Sequence, residues 1–143
     1  MGVEVHRGFM RKLSIITLGV SDLTMSAHFY EKVLELKRTD YKSDEIIFFD
    51  LDGPELALFP KNELAKDIGV STENGGYSGI TLAHNVSSSL EVIELLNKAK
   101  IYGGAIVKEG QSVFWGGFSG YFSDPDGHLW EIACGSEDYA KEK

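Results

Sequence analysis

The feature that most constrains this chain is a repetition. Ser14-Ile15-Ile16-Thr17-Leu18 recurs 64 residues later as Ser78-Gly79-Ile80-Thr81-Leu82, identical at four of five positions. So short a match gains weight from its placement. Each copy opens the same series of elements, as a duplicated module would. In the first copy, residues 13–20 are β-branched and apolar and predict a strand. Asp22 offers a helix N-cap, and apolar residues then recur at helical spacing from Leu23 to Leu36 (Met25, Phe29, Val33, with Tyr30 and Leu34 beside them). A weaker strand follows at 36–42. The run "IIFFDLDG" and the run "ELALFP" then read as a hairpin turned at Asp52-Gly53 and ended by Pro60.

Residues 61–77 form a polar connector, with one helical turn expected at 62–67. The series then begins again. Residues 78–86 predict a strand, and Ser87, Ser88 and Ser89 supply caps. A helix is expected through Ala99, with Leu90, Ile93, Leu95 and Leu96 on its apolar face, stopped by Gly103-Gly104. "AIVKEG", "SVFWGGFSGYF" and "HLWEIA" predict three more strands, the last turn made by Pro125 and Asp126-Gly127. The expected fold is therefore α+β: two βαβββ modules whose eight strands make a curved, mostly antiparallel sheet around a cavity, helices outside. Residues 12–136 read as one domain, with module one at about 12–60 and module two at about 78–136. Residues 1–11 and 137–143 read as loose tails.

Bulk composition excludes some partners. The chain has 143 residues, 43% of them hydrophobic, enough for a packed core. Its net charge of −8 argues against nucleic acid or an anionic membrane, since both select a basic surface. Cys134 is the single cysteine, which excludes an intrachain disulfide and points to a reducing compartment and an inert buried thiol. No apolar run approaches the roughly 18 residues of a membrane span, and the first twelve residues lack the apolar core of a signal peptide. A cytoplasmic protein is expected.

Glu131 is the informative residue. It stands inside the apolar run after the Asp-Pro-Asp-Gly turn. Side chains alternate along a strand, so His128, Trp130, Ile132 and Cys134 share one face and Leu129, Glu131 and Ala133 the other. The Trp130 face suits packing under a helix, which turns Glu131 toward the cavity. By the same alternation, Thr17 and Thr81 lie on the cavity side of their strands. A carboxylate in such a place is paired, hydrogen-bonded, metal-bound or protonated. The aromatic and glycine run 113–122 offers a wall on which a ligand can stack, through Trp115 and Tyr121. The histidines fall elsewhere: His6 in the tail, His28 on a helix surface, His84 and His128 on the faces turned away from Glu131.

"ITLGVSDLTMSAHFYEKVL" near the start and "GYFSDPDGHLWEIA" near the end resemble the vicinal oxygen chelate superfamily, the glyoxalase, bleomycin-resistance and extradiol-dioxygenase group. The resemblance covers about residues 13–134. It implies paired βαβββ modules around a U-shaped cavity, and a homodimer. In the family's enzymes a glutamate on the last strand binds a divalent metal, and Glu131 matches it. The family's other ligand positions fall on Ile15, on Gly79, and at or next to Ala57, none of which donates to a metal. A catalytic metal site ordinarily uses three protein ligands. The expectation is thus a protein that binds a small, partly apolar organic molecule through Thr17, Thr81, Trp115, Tyr121 and Glu131, with no cofactor. The alternative is a lyase, isomerase or dioxygenase-type enzyme using Glu131 as base or metal ligand.

Overall fold

A computed structural model describes residues 13–68, 71, 78 and 80–143. The strand–helix–three-strand series is present twice. The first copy comprises β1 (Ile15–Val20), α1 (Leu23–Val33), β2 (Lys37–Arg38), β3 (Ile47–Asp50) and β4 (Glu55–Pro60). A connecting helix α2 (Lys61–Ile68) follows. The second copy comprises β5 (Leu82–Val86), α3 (Ser89–Ile101), β6 (Ala105–Ser112), β7 (Phe118–Ser123) and β8 (Leu129–Cys134), and α4 (Ser136–Ala140) closes the chain. The eight strands form two four-stranded sheets, ordered β1-β4-β3-β2 and β5-β8-β7-β6. In each, the first strand pairs parallel with the last and the remaining pairs are antiparallel.

Local chemistry explains the element ends. The Asp22 carboxylate accepts from the Met25 amide and starts α1, and the Ser88 hydroxyl accepts from Glu91 and starts α3. Helix α1 ends at Val33, short of Leu36. Glu35 takes a positive φ of 56° there, and the Leu34 and Leu36 amides both bond the Tyr30 carbonyl. The run 113–122 is not one strand. Its first part is a turn closed by Val113 and Gly117, with Gly116 at φ 96°, and only Phe118–Ser123 extends. The buried residues of α3 are Val92, Leu96 and Ala99; Leu90 and Ile93 are exposed. Apolar spacing admits both arcs, and close approach of the sheet at Gly120 selects the one that carries Leu96. Helix α4 spans Ser136–Ala140, so it runs from the end of the expected domain into the expected tail, and its Tyr139 ring packs on Phe118.

One core serves both sheets. Ile16, Leu18 and Val20 of β1 and Leu56 and Leu58 of β4 face the same interior as Phe122, Trp130 and Ile132 of the second sheet. Helix α1 lies between them: the Tyr30 ring is 6.4 Å from Phe49 in the first sheet and 5.8 Å from Trp130 in the second. The other face of each sheet turns away from this shared core.

Candidate functional site

On β8, Trp130, Ile132 and Cys134 enter the core, so alternation turns Leu129, Glu131 and Ala133 outward. Glu131 stands directly between Tyr121 of β7 and Ala83 of β5. The neighbouring row is Ser119, Ala133 and Asn85. Cross-strand partners share a face, so these six side chains form one outer surface. Ser119 and Ala133 are only 4% and 6% exposed although they point away from the core. Larger neighbours therefore cover these small side chains in the middle of the surface. Glu131 and Tyr121 are half-buried at one side of it. Among the described residues, no hydrogen bond or ion pair reaches the Glu131 carboxylate.

Trp115 reaches the same row from the β6–β7 turn. Its ring occupies the space a side chain on Gly117 would take, and Gly117 precedes Ser119 and Tyr121 by the two-residue step of the strand. Only glycine admits the indole there. Thr81 immediately precedes β5 and is exposed. Lys108 pairs with Tyr121 from the edge strand β6. Burial pushes the Cys134 thiol up, and nearby Glu142 adds to the effect, so this cysteine stays protonated.

Thr17 belongs to the other sheet. Its outer face carries Ile15 beside Glu55, and Thr17 beside Ala57 and Phe48. Glu55 was missed in the sequence, although its two-residue step from Ala57 places it on this face. Helix α2 roofs one end: a side chain on Gly19 would meet Lys61 Cβ at 3.0 Å. The structure therefore pairs Tyr121 with Glu131 and places Trp115 on Gly117 farther along the same row, with Thr81 at the foot of the neighbouring strand. Thr17 lies on a separate surface, because both outer faces turn away from α1.

The modules are joined beneath these surfaces. Tyr30 donates to Asp124 at 2.7 Å, and the Trp130 indole donates to the Tyr30 oxygen at 3.0 Å. Asp124 also accepts from the Asp126 and His128 amides. Asp126 accepts from the Ser21 amide, and His128 Nε2 donates to the Gly19 carbonyl at 2.8 Å. His128 is thus occupied in holding the turn to β1. His84 is exposed beside α3, and the His28 ring faces Tyr102 edge-on. His6 is outside the described residues.

The repeat aligns the family's ligand positions within this fold. From Asp22 to Ser88 the offset is 66, two more than the sequence match suggests. Thr17–Ala57 and Ala83–Glu131 are then equivalent pairs, so Ala57 is the counterpart of Glu131 and Thr81 that of Ile15. Gly79 is outside the described residues. Ile15, Ala57 and Gly79 offer no donor and Thr81 only a neutral hydroxyl, so Glu131 is the sole strong ligand in the set. Among the described residues, no three His, Cys, Asp or Glu side chains gather as a metal site would need. At the ligand positions that the resemblance implies, the residues do not supply the donor set a divalent metal needs.

Comparison with known proteins agrees with the fold. The family model described as Glyoxalase/Bleomycin resistance protein/Dioxygenase superfamily matches residues 12–132. A metallothiol transferase FosB from Bacillus licheniformis is 35% identical over 122 residues, which are 85% of this chain and 73% of the relative. The crystal structure of a glyoxalase-related enzyme from Fulvimarina pelagi is 36% identical, with a TM-score of 0.79 over 87% of this chain and 88% of that one. A mutant of the fosfomycin resistance protein FosX from Listeria monocytogenes, complexed with Mn(II) and 1S,2S-dihydroxypropylphosphonic acid, is 26% identical with a TM-score of 0.67, over 94% and 98% of the two chains. With paired βαβββ modules and a family match across nearly its whole length, the chain belongs to the Glyoxalase/Bleomycin resistance protein/Dioxygenase superfamily.

Proposed function

We propose that the protein binds a small, partly apolar organic molecule on the Glu131 face of its second sheet, without the divalent metal. The observation that carries this is the donor set: the ligand positions hold Ile15, Ala57 and Gly79, leaving Glu131 without strong co-ligands. The Trp115 indole, lying on Gly117 in the row that continues to Ser119 and Tyr121, supports an occupant with an apolar body. The outward turn of both sheets supports a homodimer, in which the Thr17 face of one copy covers the Glu131 face of another.

A second reading is an enzyme of the lyase, isomerase or dioxygenase type, using Glu131 as base or metal ligand. The names of the metallothiol transferase and of the Mn(II) complex favour it. Elemental analysis of protein purified without chelators separates the two. The expected result is far less than one metal per chain, and no rise in Tm with manganese, zinc, nickel or iron. About one equivalent of metal per chain, lost with Glu131→Gln, would overturn the metal-free reading.

A further inference from the structure

We infer that residues 135–143 act as a strap that holds the β6–β7 turn and its Trp115 in place, latched by Glu142 on the first residue of α3. Helix α4 reaches the turn at its entry, its tip and its exit. At the entry, the Tyr139 and Ser112 hydroxyls share a hydrogen bond at 2.6 Å. At the exit, the Tyr139 ring lies 5.3 Å from that of Phe118. At the tip, a side chain on Gly116 would meet Ser136 Cβ at 3.2 Å. The turn itself is closed by backbone bonds among Val113, Gly116 and Gly117, so it moves as one piece about these ends.

The latch lies beyond α4. Ser89 opens α3, where the first amides have no partner within the helix. One Glu142 oxygen accepts from the Ser89 amide at 2.9 Å and the other from the Ser89 hydroxyl. The aligned peptide dipoles of α3 favour a negative charge at this end as well. The Ser89 hydroxyl and amide hold the Glu142 carboxyl below its ordinary pKa, so it is charged at neutral pH. The Cys134 thiol lies against the same carboxylate at 3.9 Å, and the Lys143 ammonium stands 4.4 Å over the Tyr139 ring.

Little else holds the strap. No side chain of α4 is buried, and its cap residue, Gly135, has no side chain to offer the first turn. A side chain on Gly135 would meet nothing within 4 Å, so the backbone is free to pivot there. A segment with few buried contacts opens locally at a small part of the cost of unfolding. Once the Ser89 bonds break, the strap swings away as a unit and the turn loses its three supports together. Trp115 is thereby positioned from α3, an element separate from the strands that carry it.

Amide and indole N–H exchange, followed by NMR in the 143-residue chain, tests this. Two variants cut the latch from opposite sides. Glu142→Gln removes the charge. Ser89→Pro removes both donors, at a first helical position that accommodates proline. Each is expected to speed exchange at the Val113 and Gly116 amides roughly tenfold and to move the Trp115 indole signal. The double variant should go no further than either single one. The Trp130 indole, buried and bonded to Tyr30, should stay unchanged. Glu137→Gln makes the same charge change within α4, where no described residue bonds to the carboxylate, and should leave the turn as it was. Unaltered exchange at the turn in both latch variants would overturn the strap. So would additive effects in the double variant, an equal effect of Glu137→Gln, or acceleration at Trp130 to the same degree.

Discussion

Asp124 concentrates more consequence than any other single side chain. It is 2% exposed, and burial raises its pKa, while the Tyr30 hydroxyl, His128 and the turn amides pull the other way. Tyr30 is itself pushed well up by burial and by the neighbouring carboxylate, so it stays a donor. Tyr30→Phe leaves a buried carboxylate oxygen short of a donor and the Trp130 N–H without its acceptor. We expect a loss of about 1–3 kcal/mol, read from denaturant midpoints. The sign of the pH effect follows from the raised folded pKa. The folded chain keeps the Asp124 proton longer than the unfolded chain does. This residue's contribution is full below the unfolded value of about 3.9 and is lost as pH rises through the folded value. Tyr30→Phe removes a lowering influence and moves that loss to higher pH. Urea melts from pH 4 to 7 should show the shift, and Asp124→Asn should abolish the slope due to this group.

At the scale of elements, the approach of α3 to its sheet depends on a missing side chain. A Cβ on Gly120 would lie 2.7 Å from both Leu96 Cδ1 and the Lys108 carbonyl oxygen. Gly120→Ala should therefore destabilise by about 1–3 kcal/mol. Gly135→Ala, which meets nothing within 4 Å, should stay within about 0.5 kcal/mol. Much of this level was legible in the sequence. Strand alternation placed Trp130, Ile132, Leu18 and Val20 in the core, and Asp22 and Ser88 announced their helices. Other features were not. The turn at 113–117 is built from aromatics and glycines that also suit a strand, and its closure comes from backbone bonds that composition does not reveal. The two extra residues ahead of Val86 hide in a run that is extended either way, so the equivalence of Ala57 and Glu131 emerges only from pairing.

For the whole molecule, the arrangement of the sheets decides what a single chain can enclose. Periodicity says that Tyr30 is buried but not which sheets it touches, so the turning of Thr17 and Glu131 onto separate surfaces was illegible in the sequence. Sedimentation equilibrium at micromolar concentration should give twice the chain mass of 15.8 kDa. A single-chain mass under those conditions would remove the support for a cavity shared between copies. The described helices include none long and apolar enough to cross a membrane.

The position of α1 also ends the interchangeability of the two repeats. Sixty-six residues on from Tyr30 stands Leu96, aliphatic and without a hydroxyl, packed on one sheet's glycine while Tyr30 bridges two sheets. A chain assembled from two copies of the second half would lack the phenol that Asp124 and Trp130 require. One assembled from two copies of the first half would carry an aspartate, Asp50, at the place of Asp124 but would lack the indole of Trp130, whose counterpart is Leu56. Symmetry survives in the backbone, but the halves have become a lock and its bolt, and neither can stand in for the other.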